Sequence, residues 1–226
     1  MQIKDIIDIL KVLSGIRKLF WSEDDFKFAF ATQVQAKFGN LVEVRLEKRY
    51  EQNDKSAYTD IVVKMGGKTF PIELKYKTTK GRYADANAEV IELLTHSAVD
   101  LGCYSYLKDI ERIEYLAQHD SEFERGFAIM LTNESGYYND TRRASMYDAF
   151  KIYEGKQVFG TLDWDRKRYN GNEPSWVKSH DGFALKNSYR MHWMDYGSEL
   201  PPADEWSAPA LFKYQIAVIE KSQKLA

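Results

Sequence analysis

A single cysteine, Cys103, stands among 226 residues, so no disulfide can form within the chain. Cys103 lies in an apolar helical stretch and reads as an inert core thiol. Such scarcity suits a reducing compartment, and the chain is expected to be cytoplasmic. No hydrophobic run approaches the length that spans a bilayer. The N-terminal MQIKDIIDILKVLSG interleaves charges with Ile3, Ile6, Ile7, Leu10 and Leu13 at helical spacing. That pattern predicts an amphipathic helix ending near Gly15 and not a signal peptide. The four histidines, His96, His119, His180 and His192, show no zinc spacing. A Gly-rich phosphate loop ending in Lys-Ser/Thr is missing, and so is Gly-x-Ser-x-Gly, which removes two common hydrolase designs. An excess of one charge is lacking too. The net charge of −2 argues against global phosphate neutralisation but leaves room for a local basic patch. No repeat, low-complexity tract or linker divides the chain.

What is present is enough for one core: 44% hydrophobic residues, 14% of all residues aromatic. The most informative stretch is 58–77, YTDIVVKMGGKTFPIELKYK. It predicts two strands joined at Gly66-Gly67. Alternation along the second strand puts Glu73 and Lys75 on one face and Leu74 on the other. The hairpin brings Asp60 alongside them, on what the sequence suggests is a sheet edge, where Pro71 would be tolerated. Carboxylates placed side by side repel unless a cation lies between them, and Mg²⁺ takes oxygen ligands from one or two carboxylates. The plainer alternative is an amphipathic hairpin with a solvated Glu-Lys pair.

Upstream, Ser22 is a good N-cap, with Asp25 in the capping-box position. Phe26, Phe30 and Val34 mark the buried stripe of the helix that follows. Glu23 lies seven residues before Phe30 and eleven before Val34, so it falls at the end of the apolar face. Asp24 and Asp25 have the phase of acids that only complement the helix dipole.

In chain order, Asp60 followed by Glu73-Leu74-Lys75 resembles the signature of the PD-(D/E)XK nuclease superfamily, the restriction-endonuclease-like fold. The likeness covers 22–77 and, more weakly, 98–131, where AVDLGCYSYLKDIERIE and RGFAIMLTN are similar to the helix and fourth strand of bacterial members. Thr59 stands where the family's name-giving proline would be. The resemblance implies an α/β fold whose core runs helix, three strands, helix, strand around a mixed central sheet. It further implies a metal-dependent nuclease acting on DNA, with RNA not excluded. Asp60 and Glu73, with the backbone carbonyl of Leu74, would hold Mg²⁺ or, in its place, Mn²⁺. Glu23 would bind a second metal or orient the site through water, and Lys75 would position the attacking water. The alternative is a catalytically silent nuclease-fold module that binds nucleic acid or protein, with bacterial defence as one setting. A homodimer is compatible with either.

Basic residues that could touch nucleic acid are Lys77, Lys80 and Arg82 after the hairpin, Arg142 and Arg143 after the fourth strand, and Arg166, Lys167 and Arg168 beside Trp164 and Tyr169. By default each is a solvated charge run. The remaining expectations are a first strand over 41–46 and a helix over 87–118 with a break or bend at Gly102. Further strands are expected over 126–131, 150–153, 158–164, 188–196 and 211–220, with a loop over 170–181. The whole reads as one domain, 1–226, made of an N-terminal helix (1–21), a core (22–135) and a β-rich C-terminal elaboration (136–226).

Overall fold

The computed structural model describes residues 1–52, 55–85, 88–96, 98–141, 143–170 and 172–221. Gly66 and Gly67 have φ of +58° and +72°, the pair of positive values that a two-residue primed turn requires. They join β2 (Lys55–Met65) to β3 (Lys68–Lys77), with Met65 opposite Lys68. β1 (Val42–Gln52) pairs antiparallel with β2 on the other side.

The chain then makes a small hairpin, β4 (Gly81–Ala84) with β5 (Val90–Leu93), and a long helix, α3 (Val99–His119). β6 (Arg125–Thr132) follows, parallel to β3 from Ile72↔Phe127 to Lys77↔Thr132. α3 is therefore the crossover that a parallel pair needs. β7 (Gln157–Leu162) and β8 (Phe183–Arg190) form a separate two-stranded sheet, with the short α4 (Ser175–Lys178) between them in sequence. β9 (Trp193–Asp195) and β10 (Lys213–Glu220) return to the centre. The result is a mixed six-stranded sheet in the order β1-β2-β3-β6-β10-β9.

Two helices cover one face of that sheet, α1 (Ile3–Ile16) and α2 (Glu23–Phe38). Ile6, Leu10 and Leu13 of α1 and Phe26, Phe30 and Val34 of α2 are buried with Leu74 and Tyr76 of β3 and Ile129 of β6. The other face packs Met130 of β6 and Ala217 and Ile219 of β10 with Tyr106, Ile110 and Ile113 of α3, and with β7 and β8 beyond. No helix among the described residues is long and apolar enough to cross a membrane.

Several expectations are corrected. The helix expected over 87–118 begins only at Val99, and 90–93 is a strand, where Ile91 and Leu93 alternate inward while Val90 and Leu94 are exposed. Asn87 lies outside the described residues. Gly102 does not break α3. It is small because the Tyr137 hydroxyl sits 2.0 Å from where its Cβ would be. The first strand starts at Val42 and runs to Gln52. Residues 150–153 form no strand, since Phe150 closes a 3-10 turn. The stretch 188–196 divides between β8 and β9, in different sheets. β3 is an interior strand, not an edge. Pro71 is tolerated there because pairing with β6 begins one residue later, at Ile72. β9 and β10 join the central sheet.

Candidate active site

β2 and β3 separate beyond the pair Ile61↔Ile72. β2 stays with β1 as far as Lys55, whereas β3 follows β6 to Lys77. In the opening between them, backbone donors of β3 face side chains instead of a strand. Asp60 Oδ2 accepts the Leu74 N–H at 2.8 Å, and Glu23 Oε2 accepts the Tyr76 N–H at 2.8 Å. Two carboxylates thus complete hydrogen bonding that the ladder leaves open. The β1–β2 ladder also lapses at Glu47, opposite Asp60, where Glu47 takes φ +51°, an uncommon value for a residue with a Cβ.

Glu23 reaches this place because the start of α2 is pinned to β3. Ser22 Oγ accepts the Asp25 N–H at 3.1 Å, which caps the helix. Asp25 in turn accepts from Trp21 N–H and pairs with Arg17. The buried Phe20 N–H donates to the Tyr76 hydroxyl at 3.1 Å, and its ring meets that of Tyr76 edge-on at 5.8 Å. Tyr76 therefore holds the approach to α2 by its hydroxyl and Glu23 by its backbone.

Cations fill the spaces between the acids. Lys27, only 8% exposed, places Nζ 3.0 Å from Asp60 Oδ1 and also pairs with Glu47 and Asp24. Burial works to lower the Lys27 pKa, but Glu47 and Asp60 outweigh it and hold the ammonium above its usual range. Burial likewise works to raise that of Asp60. The Leu74 N–H, Lys75 and Lys27 together bring the carboxyl below its ordinary value. Lys75 and Lys77 each lie 3.8 Å from Glu23.

On the α3 side of β3 the balance is different. Glu73 and Asp109 are both 2% exposed. Arg112 Nη2 is 3.3 Å from Glu73 Oε2 and also pairs with Asp109. Lys75 Nζ forms an ion pair with Asp109 Oδ2 at 3.1 Å. Glu73 Oε1 and Arg112 Nε are buried without a hydrogen-bond partner. Burial first, and then the neighbouring Asp109, pushes the Glu73 carboxyl well above its ordinary value. Burial also raises that of Asp109, against the pull of Lys75 and Arg112. Another buried acid on the same helix shows the contrast. Glu114 accepts from the backbone of Lys186 and Asn187, the Asn187 amide and the Tyr189 hydroxyl. That carboxylate is fully satisfied and ties β8 to α3. Glu73 is not satisfied, and buried polar groups left so are uncommon.

The hairpin expectation is met in that Glu73 and Lys75 leave one strand face while Leu74 is buried on the other. Glu23 points into the same region, yet it binds Tyr76 N–H directly and is not held by a bridge alone. Lys75 pairs with Asp109 and Glu23. Lys27, Asp109 and Arg112 escape the sequence reading. Asp109 had a signal, since 106, 109, 110 and 113 are one helical stripe and an acid in it must be buried. Lys27 had none, being one of many lysines beside a phenylalanine.

Of the basic residues, Lys77 joins this cluster. Lys80 is exposed, and Arg82 pairs with Asp204 at 3.7 Å. Arg142 lies outside the described residues. Arg143 lines a separate open cavity with Lys151 and Lys156. Arg166 is matched by Glu173 and Asp163, and Arg168 by Asp165, with Lys167 on the same turn.

Mg²⁺ needs only one or two carboxylates and keeps several waters. Asp60 and Glu73 offer that donor set, and Glu73 Oε1 is a buried acceptor without a partner, so these residues fit a hard cation. Among the described residues no group of three or more His, Cys, Asp or Glu side chains is placed to hold a metal. Comparisons with protein-family models, with curated proteins and with solved structures found no match for this chain.

Proposed function

We propose that the chain is a metal-dependent phosphodiesterase that cuts DNA, with a restriction-endonuclease-like core. One observation carries this reading: Glu23, Asp60, Glu73 and Lys75 come from one helix and two strands and meet where β2 and β3 separate, around a buried carboxylate with an unpartnered oxygen. Apart from the β4–β5 hairpin inserted before α3, the chain order α2, β1, β2, β3, α3, β6, with β6 parallel to β3, supports the fold assignment.

Asp60 and Glu73 would hold Mg²⁺ or Mn²⁺ together with the Leu74 carbonyl, and Glu23 stands by for a second ion or a water. When bound, such an ion polarises a phosphoryl oxygen and lowers the pKa of its water. The chain's own groups do the rest. The Leu74 N–H fixes the direction of the Asp60 carboxylate. Asp109 and Glu23 hold the Lys75 ammonium, which offsets charge developing on the phosphate. Arg112 orients Glu73.

The test is cleavage of plasmid and linear DNA with Mg²⁺ or Mn²⁺, alongside calorimetric titration of Mn²⁺. Expected are nicking that a chelator abolishes, and loss of both cleavage and Mn²⁺ binding in Asp60→Asn and Glu73→Gln. Equal Mn²⁺ binding by all three proteins would overturn the assignment. A second reading, a catalytically silent module that binds nucleic acid or protein, draws on Lys27, Lys75 and Arg112, which already neutralise the acids. It wins if Mn²⁺ neither binds nor raises the melting temperature.

A further inference from the structure

β1 and β2 run on together past the point where β2 leaves β3. Their last pairs, from Lys48↔Thr59 to Gln52↔Lys55, form an arm that no third strand supports. It joins the sheet at an interruption. Glu47 and Asp60 are missing from the ladder, and Glu47 has φ +51°. Residues two apart on a regular strand share a face. Here Ile61 is buried on the α1–α2 side, whereas Thr59 faces a seam with α3, so the strand pair swivels between them. The base of the arm is fixed, since Lys27 of α2 pairs with both Glu47 and Asp60. Beyond the base its hold on α3 is slight. Gln52 Nε2 lies 3.4 Å from each Glu111 oxygen, beyond the usual hydrogen-bond range, and Glu111 already pairs with Lys108 at 3.1 Å. The rings of Tyr50 and Tyr115 are tilted, with centroids 6.5 Å apart. A void of about 30 Å³ remains in the seam, between Lys48, Tyr50 and Thr59 of the arm, Pro71 of β3 and Leu116 of α3. Well-packed interiors keep few such gaps.

The arm covers the acid that β3 presents. Glu73 is 2% exposed, although pairing of β3 with β2 has ended one residue before it. Tyr50 is the arm residue that reaches it. Burial raises the Tyr50 phenol above its usual range, and the charges acting on it are led by Arg112 and then Glu73. With the arm down, Tyr50 Oη, Arg112 Nε and Glu73 Oε1 are all buried without hydrogen-bond partners. Water would satisfy each of them once the arm lifted, and a buried polar group left unsatisfied bears its full desolvation cost. The groups that the arm buries therefore oppose its closure, while the Tyr50 ring and Gln52 hold it down.

We propose that residues 48–52 and 55–59 form a hinged lid, pivoting at Glu47 and Asp60, that lifts from α3 to let a divalent cation reach Glu73. That the lid admits a divalent cation rests on the nuclease reading. The lid itself does not.

The experiment is labelling of the Glu73→Cys thiol by iodoacetamide in metal-free buffer, with the buried Cys103 of the same chain reporting global unfolding. The introduced thiol should label about tenfold or more faster than Cys103, as local opening requires, and far more slowly than a free thiol. Adding Tyr50→Ala should speed it about tenfold again, the scale of a lost side-chain contact, without speeding Cys103. Tyr50→Phe keeps the ring and removes an unpaired hydroxyl, so labelling should slow. Labelling no faster than Cys103, or as fast as a free thiol, would overturn the lid. So would a rate that Tyr50→Ala leaves unchanged or that Tyr50→Phe raises. With Glu73 intact, Tyr50→Ala should bind Mn²⁺ about tenfold more tightly, because the closed population no longer competes with binding. Equal or weaker Mn²⁺ binding by this variant, or none by either protein, would overturn the cation as what the lid admits and leave the labelling result standing.

Discussion

Lys75 and Asp109 face each other between a central strand and a buried stretch of α3, Nζ to Oδ2 at 3.1 Å. A lysine on a sheet edge could be removed without structural cost, but this one cannot. Lys75→Ala should lower activity roughly 10²–10⁴-fold, as for loss of a positioned charge-stabilising group. It should also destabilise the fold by about 3 kcal/mol, since it strips a partner from a buried charge. Lys75→Met with Asp109→Leu should recover most of the stability and none of the activity. Denaturant unfolding beside a cleavage assay separates the two effects, and a Lys75→Ala protein as stable as wild type would contradict the ion pair.

Glu73 gives a pH dependence of definite sign. Its folded carboxyl is held well above 4.5, first by burial and then by Asp109. The folded state keeps this proton longer than the unfolded chain, so its contribution to stability falls as pH rises from the unfolded value toward the folded one. In chelator, Glu73→Gln should match wild type at acid pH and melt above it toward neutral pH. The gain should reach about 1–3 kcal/mol, at roughly 2–4 °C for each. Thermal melts at a series of pH values check this, and a difference that does not grow with pH would refute it.

Lys27 Nζ lies 3.0 Å from Asp60 Oδ1, where a cation at the proposed metal site would have to compete with it. Lys27→Met should therefore bind Mn²⁺ roughly tenfold more tightly, the equivalent of one pKa unit. It should melt lower without metal, because Asp60, Glu47 and Asp24 lose their shared counter-ion. Weaker Mn²⁺ binding in this variant would mean that Lys27 supports the metal position and does not block it.

Tyr76 bears on the site from a distance. Tyr76→Phe removes the acceptor of the buried Phe20 N–H and should cost about 1–3 kcal/mol. It should also loosen the start of α2, so that the effect of Glu23→Gln on cleavage shrinks in its presence. Additivity of the two variants would show that Tyr76 does not position Glu23.

Much of this site was legible because local patterns force it. The Gly66-Gly67 turn and the alternation from Phe70 to Tyr76 fix which face Glu73 takes, and Ser22 with the Phe26-Phe30-Val34 stripe fixes the phase of Glu23. Other parts depend on partners far away in sequence. That β3 is interior is decided by β6, some fifty residues later. That 90–93 is a strand is decided by its pairing with β4, against a helical spacing of apolar residues that looked equally good. Lys27 and Arg112 look like solvated charges until tertiary packing buries them.

The return of β10 to the central sheet has a consequence for how the protein is made. β6 is apolar along nearly its whole length, and β10 covers one side of it from Lys213↔Thr132 to Glu220↔Arg125. On the ribosome, β6 emerges some eighty residues before its neighbour. Until then it has an open, hydrophobic edge of the kind that recruits other chains. A fragment ending near residue 135 would carry Glu23, Asp60, Glu73 and Lys75 and keep that edge for good. It should aggregate when expressed alone and regain solubility on co-expression with the missing C-terminal half.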